Sequence, residues 1–249
     1  MKIIVSGIGG RMGKAICELA STGFRGAQIV AGCDLIPLES PDFPIYPSPL
    51  SQPIEADCII DFSHHTGTTA LLNYAVSASL PVVLATTGHT DEEYEAIKEA
   101  AKRIPVFHSA NMSVGIALLV ELAKTTAKAF PDANIEIIEK HHNRKLDAPS
   151  GTALLLANAI REIRQKASFV FGRHGQAKRT EEEIGIHAIR MGNIVGEHEV
   201  IVGTDTQTIT LKHEAHSRAL FAEGALVAAD YLIGQSAGLY DMKNMLTEE

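Results

Sequence analysis

The run Glu139-Lys140-His141-His142-Asn143-Arg144-Lys145-Leu146-Asp147-Ala148-Pro149-Ser150-Gly151-Thr152 concentrates reactive side chains more densely than any other stretch of the 249 residues. Histidine takes up or releases a proton near neutral pH. Lysine holds a positive charge for a carboxylate, or gives a proton to a nitrogen that gains electron density. Ser150 or Thr152 is placed to cap a following helix, whose first-turn N–H groups can face a carboxylate. On residue types alone, a solvated basic loop before an ordinary capped helix explains the segment as well. Zinc is disfavoured, because adjacent histidines on an extended chain point to opposite sides and no further ligand cluster is near in sequence. His64 and His65 read as a solvated loop pair, and His187, His198, His213 and His216 as satisfied or surface histidines.

A second constellation lies at the start of the chain. Gly7-Ile8-Gly9-Gly10-Arg11-Met12-Gly13 follows a predicted strand and opens a predicted helix. That context suits a dinucleotide: one glycine permits the tight turn, missing side chains let backbone approach a pyrophosphate, and Gly13 lets helix pack on sheet. Asp34, about 20 residues beyond, ends the next predicted strand, where a carboxylate accepts from ribose hydroxyls and repels a 2′-phosphate. Leu35 follows it instead of arginine, so NADH is the expected cofactor and NADPH the second, with Arg11 the residue that could reach a 2′-phosphate.

The elements that must carry these residues follow from periodicity. Strands are expected at Lys2-Ser6, Ala27-Asp34, Cys58-Phe62, Pro81-Thr86 and Val106-Ser109. They alternate with helices at about Gly13-Thr22, Thr66-Ser79, Asp91-Arg103 and Ser113-Ala129. Such alternation predicts right-handed βαβ units and a parallel sheet covered on both faces. The proline-rich Pro37-Pro53 reads as a loop. Beyond residue 112 the character changes: a strand at Ile135-Lys140, a helix at Gly151-Lys166, then strands at Ile184-Arg190, Glu197-Val202 and Thr206-His213 joined by Gly-containing turns. The charged Arg173-Glu183 reads as a mobile loop, and the helix Ala219-Gly234 as a return to the first domain. The expected class is α/β, with a Rossmann-like dinucleotide-binding domain (1-112 plus 219-249) and a smaller α+β domain on a mixed sheet (113-218).

Composition narrows the role. A formal charge of -8 disfavours a phosphate-neutralising surface, and no apolar run approaches the roughly 20 residues that span a bilayer. Neither nucleic acid nor membrane is therefore an expected partner. The N-terminus lacks signal-peptide features, so a cytoplasmic protein is expected. Cys17, Cys33 and Cys58 lack metal-ligand spacing and read as small buried hydrophobes.

Seven segments together resemble dihydrodipicolinate reductase: GIGGRMG (7-13), DFSHHTG (61-67), TTGHT (86-90), SANMSVG (109-115), EIIEKHHNRKLDAPSGTA (136-153), IVGEHEV (194-200) and HEAHSRALFAEGA (213-225). They occur in that family's order over essentially the whole chain, and the HHNRKLDAPSGTA run is highly specific. The resemblance implies NAD(P)H-dependent reduction of 4-hydroxy-tetrahydrodipicolinate to tetrahydrodipicolinate with loss of water, in the diaminopimelate route to lysine. It assigns Gly7, Ile8, Gly9, Gly10, Arg11 and Met12 to the pyrophosphate and Asp34 to the adenosine ribose. Ala85, Thr86, Thr87, Ser109, Ala110, Asn111 and Met112 fall on the nicotinamide side. His141 becomes the catalytic proton donor or acceptor, Lys145 a second donor, and His142, Gly151 and Thr152 the binders of the substrate's carboxylates. It further implies a homotetramer built by the smaller domain and a hinge closing the two domains over substrate. The chain departs from the family pattern at Ala85, where glycine is usual, at Met112, where phenylalanine is common, and at Leu35, where NADPH-tolerant members carry arginine. The rival readings are a dehydrogenase of aspartate or an amino acid imine, and an NAD(H) sensor without turnover.

Overall fold

The computed structural model describes residues 1-38 and 42-247, and the chain divides into two compact units, Met1–Ser113 with Ala219–Glu249, and Val114–Arg218. The first unit begins with β1 (Lys2–Ser6), α1 (Arg11–Ser21), β2 (Gln28–Asp34), β3 (Ile45–Pro47), β4 (Cys58–Asp61), α2 (Thr68–Ala78), β5 (Val82–Leu84), α3 (Asp91–Ala101) and β6 (Pro105–His108). The second holds α4 (Val114–Ala129), β7 (Asn134–His141), α5 (Gly151–Ile163), β8 (Ser168–Phe171), β9 (Glu183–Arg190), β10 (Gly196–Gly203) and β11 (Thr208–Ala215). The chain then adds α6 (Ala219–Leu232), β12 (Gly238–Tyr240) and α7 (Met242–Thr247) to the first unit.

In the first unit seven strands lie in the order β12-β6-β5-β4-β1-β2-β3, every neighbouring pair parallel. Parallel strands buried on both faces read as continuous apolar runs, and Ile3, Ile4, Val5, Ile59, Ile60, Val82 and Val83 are all fully buried. Ile4, Ile59 and Val82 pack with Leu71, Leu72 and Ile97 of α2 and α3. Phe107 instead meets Tyr231 of α6, ring to ring at 6.4 Å. Strand order reverses between β1 and β4, so the loops after these two strands flank a crevice at the carboxyl edge of the sheet, where open α/β folds bind ligands.

The second unit has the sheet β11-β10-β7-β9-β8, antiparallel across β11, β10 and β7 and parallel across β7, β9 and β8. Ile135, Ile137, Ile184, Ile186, Val200 and Val202 alternate onto one face and pack with α4 and α5. This is the mixed sheet expected from the pattern.

Several expectations need correction. Within Pro37–Pro53, Ile45–Pro47 forms β3 against β2, while residues 39-41 lie outside the described residues. β8, β12 and α7 were not anticipated. Arg173–Glu183 is tied down: Arg179 donates to Glu136 Oε1 at 2.7 Å, to Asn134 Oδ1 at 2.6 Å and to the carbonyls of Ile135 at 3.0 Å and Glu183 at 2.6 Å. A guanidinium with this many acceptors fixes a segment that charge content alone paints as loose. Cys33 and Cys58 are buried, which pushes both thiols up, Cys33 to about 11, but Cys17 is only half-buried.

Candidate active site

In the first unit, the turns after β1 and β4 and the residues after β2 enclose a cleft of about 560 Å³. Gly7, Gly9, Gly10 and Asp34 line it together with Leu35, Ile36, Leu38, Phe62, His64 and Thr66. Gly7 adopts φ +76°, and a Cβ there would stand 2.8 Å from the Phe62 carbonyl oxygen. At Gly13 a Cβ would stand 2.5 Å from both the Gly7 carbonyl oxygen and Ile8 Cα, so the helix can approach the turn this closely only without a side chain.

The donors of this turn are arranged differently from the expectation. Gly7 and Ile8 N–H both donate to the Cys33 carbonyl, at 2.9 and 3.3 Å, and Gly10 N–H donates to the Gly7 carbonyl at 3.0 Å. Gly9 N–H donates to Asp34 Oδ2 at 2.9 Å. These four N–H groups hold the turn to β2 and to itself. Arg11 and Met12 begin α1, and N–H groups in a helix's first turn have no intrahelical acceptor, so these two are suited to an anion. Ile8 is itself a core side chain, wedged against Gly32. The cleft thus fits an elongated anionic nucleotide: small residues for close approach, a helix start for a diphosphate and a carboxylate beside it for hydroxyls.

The other residues assigned to the cofactor are mostly structural in their side chains. Thr86 Oγ1 donates to the fully buried Asp61 Oδ2 at 2.7 Å, and Ala85 N–H donates to the Asp61 carbonyl at 3.0 Å. Ser109 Oγ donates to the Asn111 carbonyl at 2.8 Å, and Asn111 Oδ1 accepts from Ser113 N–H at 2.9 Å, closing the turn after β6. Met112 is 2% exposed and belongs to the core. Thr87 and Ala110 are exposed. His65, expected to be solvated, lies with Nδ1 2.9 Å from Glu93 Oε2.

In the second unit, His141 ends β7 with its ring buried, and its Nδ1 donates to Glu139 Oε2 at 2.6 Å. The Glu139 carboxylate is fully buried. It also accepts from Arg190 Nη1 at 2.8 Å and Nη2 at 2.7 Å, and from Ser150 N–H at 3.0 Å. Burial would raise this carboxyl, but the donors outweigh it, His141 and Arg190 foremost, and bring it down to about 2. Ser150 caps α5, its Oγ accepting from Ala153 N–H at 3.2 Å and lying 3.1 Å from His198 Nε2. His198 stacks edge-on against His141 at 5.2 Å. Burial first, then the neighbouring His141, pushes His198 down to about 4, so this ring is neutral at physiological pH.

The remaining predicted groups cluster at the same turn. His142 is half-buried, its N–H donating to the Ile194 carbonyl at 2.8 Å. Burial, then the charges of Arg144 and Arg218, lowers its pKa. Lys145 Nζ stands 2.8 Å from Asp147 Oδ1, an ion pair within the turn. Gly151, exposed at the start of α5, has open space where a side chain would be, and Thr152 stands beside it. Sequence reasoning missed Glu139, Arg190 and His198. Only Glu139 carried a signal, since residues two apart on a strand share a face.

The family model described as dihydrodipicolinate reductase, N-terminus, matches residues 1–112, and that described as dihydrodipicolinate reductase, C-terminus, matches residues 115–246. This chain belongs to the dihydrodipicolinate reductase family. A 4-hydroxy-tetrahydrodipicolinate reductase of Clostridium novyi (strain NT) is 48% identical over 247 residues, covering 98% of each chain. One of Caldanaerobacter subterraneus subsp. tengcongensis is 46% identical over 250 residues, covering 99% of this chain and 98% of the relative. Among solved structures, a dipicolinate-bound dihydrodipicolinate reductase from Paenisporosarcina sp. TG-14 shares the fold, with a TM-score of 0.81 at 23% identity over 98% of both chains. The glycine turn of 7–13 lies in the half matched by the N-terminal model, and the charged turn of 139–152 in the half matched by the C-terminal one.

Proposed function

We propose that this chain reduces 4-hydroxy-tetrahydrodipicolinate to tetrahydrodipicolinate with loss of water, in the diaminopimelate route to lysine, and that His141 and Lys145 are its proton-handling groups. The observation that carries the assignment is His141 itself. Its Nδ1 is committed to a buried carboxylate, which leaves Nε2 to exchange a proton with substrate. As a member of its family the chain is a pyridine-nucleotide-dependent oxidoreductase. When bound, a reduced nicotinamide would supply the hydride for the reduction. Gly7, Gly9 and Gly10 allow the close approach, Arg11 and Met12 present N–H groups to the diphosphate, and Asp34 accepts from the ribose hydroxyls. We assign the preference to NADH, with NADPH the weaker cofactor: Asp34 repels a 2′-phosphate, and Leu35, 80% exposed, adds no cation.

The substrate's carboxylates bring negative charge into the site. His142, Lys145 and the start of α5 at Gly151 and Thr152 offset it, and the α5 dipole adds to the positive potential. Lys145 releases Asp147 when a substrate carboxylate takes its place, exchanging one ion pair for another. A net acidic protein accommodates this because the local potential is what counts.

Two wider features complete the proposal. Helices α4 and α5 cover one face of the second unit's sheet, and the other carries Lys140 paired with Glu197 and Glu199, an open face that suits assembly into a homotetramer. Among the described residues no helix is long and apolar enough to cross a membrane, and amino-acid biosynthesis suits the cytoplasm. The deciding experiment offers freshly generated substrate precursor with NADH or NADPH and follows loss of the reduced cofactor. Rapid oxidation, faster with NADH, is expected. A folded protein that binds cofactor yet oxidises neither contradicts the assignment.

A further inference from the structure

We infer that Glu139 and Arg190 form a positioning pair for His141, Glu139 setting which ring nitrogen carries the fixed proton and Arg190 cancelling the charge that would otherwise hold the exchangeable one. The inference rests on His141 as the proton-handling group. A carboxylate can only accept, so the 2.6 Å contact requires the His141 proton to sit on Nδ1 and frees Nε2 for chemistry. Unbalanced, a fully buried carboxylate at this distance would keep the imidazole doubly protonated. Arg190 opposes it by donating from two nitrogens to both oxygens, at 2.7 and 2.8 Å. The Arg190 Nη2 group also donates to the Asp147 carbonyl at 2.6 Å, so the same guanidinium fixes the turn that carries Lys145.

The other side of the ring is equally specific. A Cβ at Gly196 would stand 3.1 Å from His141 Nε2, so any side chain on that β10 position would press on the exchanging atom. Around His141 stand Glu139 on its own strand, His198 from β10 and the adjacent His142; Arg190 from β9 reaches it through Glu139, and Lys145 acts on His142 and His198. Asp147, paired with Lys145, is the exposed carboxylate of that turn.

The test compares pH profiles of kcat and KM for E139Q, R190M, the double variant E139Q/R190M and H141N, with NADH and the same substrate. E139Q removes the negative charge that favours a positively charged ring, so the high-pH limb of the activity profile moves to lower pH. R190M leaves Glu139 unopposed, and the limb moves to higher pH. The double variant returns between them. In E139Q kcat falls by about tenfold or more, as loss of a well-placed proton donor does, while KM changes little. Nitrogen NMR on selectively labelled histidine, assigned with H141N, reports the Nδ1–H form in the wild type and a mixture in E139Q. If both limbs stay at the wild-type pH or move the same way, the pair is only structural and the inference falls. If H141N keeps wild-type turnover, the assignment of His141 itself fails, and the two failures are distinguished. Should E139Q not fold, R190K against R190M decides: R190K, which keeps the charge, retains the wild-type limb, and an unmoved limb in R190M overturns the idea.

Discussion

Replacing Asp34 by asparagine isolates the charge on which the proposed cofactor preference rests. The side chain keeps its shape and one oxygen to accept from Gly9 N–H, a contact of 2.9 Å in the wild type. What disappears is the negative charge, and with it the acceptor for Ile36 N–H at 3.2 Å. A 2′-phosphate carries roughly −1.5 to −2 at neutral pH. Two unit charges about 4 Å apart interact by about 1 kcal/mol in water and about 4 kcal/mol near a protein surface. Asp34 is half-buried at the lip of the cleft, so a value between these limits applies, about 1.4 to 3 kcal/mol. At about 1.4 kcal/mol per decade, the NADH:NADPH ratio of kcat/KM should fall by roughly 10- to 150-fold. Initial rates with each cofactor at saturating dicarboxylate measure the ratio, and thermal unfolding checks that the variant is folded. A ratio that stays within about threefold in a folded protein would refute the electrostatic argument.

Lys145→Ala should lose at least about nine-tenths of turnover, since a charge-bearing proton donor contributes on the order of 100-fold; more than a tenth retained, at saturating substrate, removes Lys145 from the mechanism. Gly13→Ala must open a 2.5 Å contact with backbone to the 3.4 Å of ordinary contact, moving α1 by most of an ångström. It should cost about 1 to 3 kcal/mol and weaken NADH binding, read by melting temperature and by cofactor fluorescence titration. Unchanged values in both would mean the close helix approach is not needed. His198 has its folded pKa depressed to about 4 from 6.5, so the stabilisation is complete above pH 6.5 and lost as pH falls towards 4. The loss is on the order of 3 kcal/mol. His198→Asn should flatten the fall in melting temperature across that window, and parallel curves for the two proteins would show that another group is responsible.

Much of the architecture was readable because the first unit's strands are continuous apolar runs and its helices carry long periodic faces. β1 followed by Gly7–Gly13 announced a tight turn into a helix, and Ser150 or Thr152 announced the start of α5, with Ser150 the residue that caps it. The short strands β3, β8 and β12, of three or four residues, were not readable. All three lie at sheet edges, where hydrogen bonds from one neighbour fix a segment too brief to show a period. The turn's N–H directions were likewise hidden, since the acceptors on Cys33 and Asp34 come from the next strand.

The sequence by itself determined the residue types and their local order: His141 beside His142, Lys145 four residues on, a capped helix after them, and Glu139 on the same strand face as His141. Only the tertiary structure decided what those groups do to one another. Parallel pairing of β7 with β9 places Arg190 opposite His141, and antiparallel pairing of β7 with β10 places His198 opposite Glu139. Strand register is set by which apolar faces meet in the core, so residues some 50 positions apart become partners for reasons that lie outside their own segments.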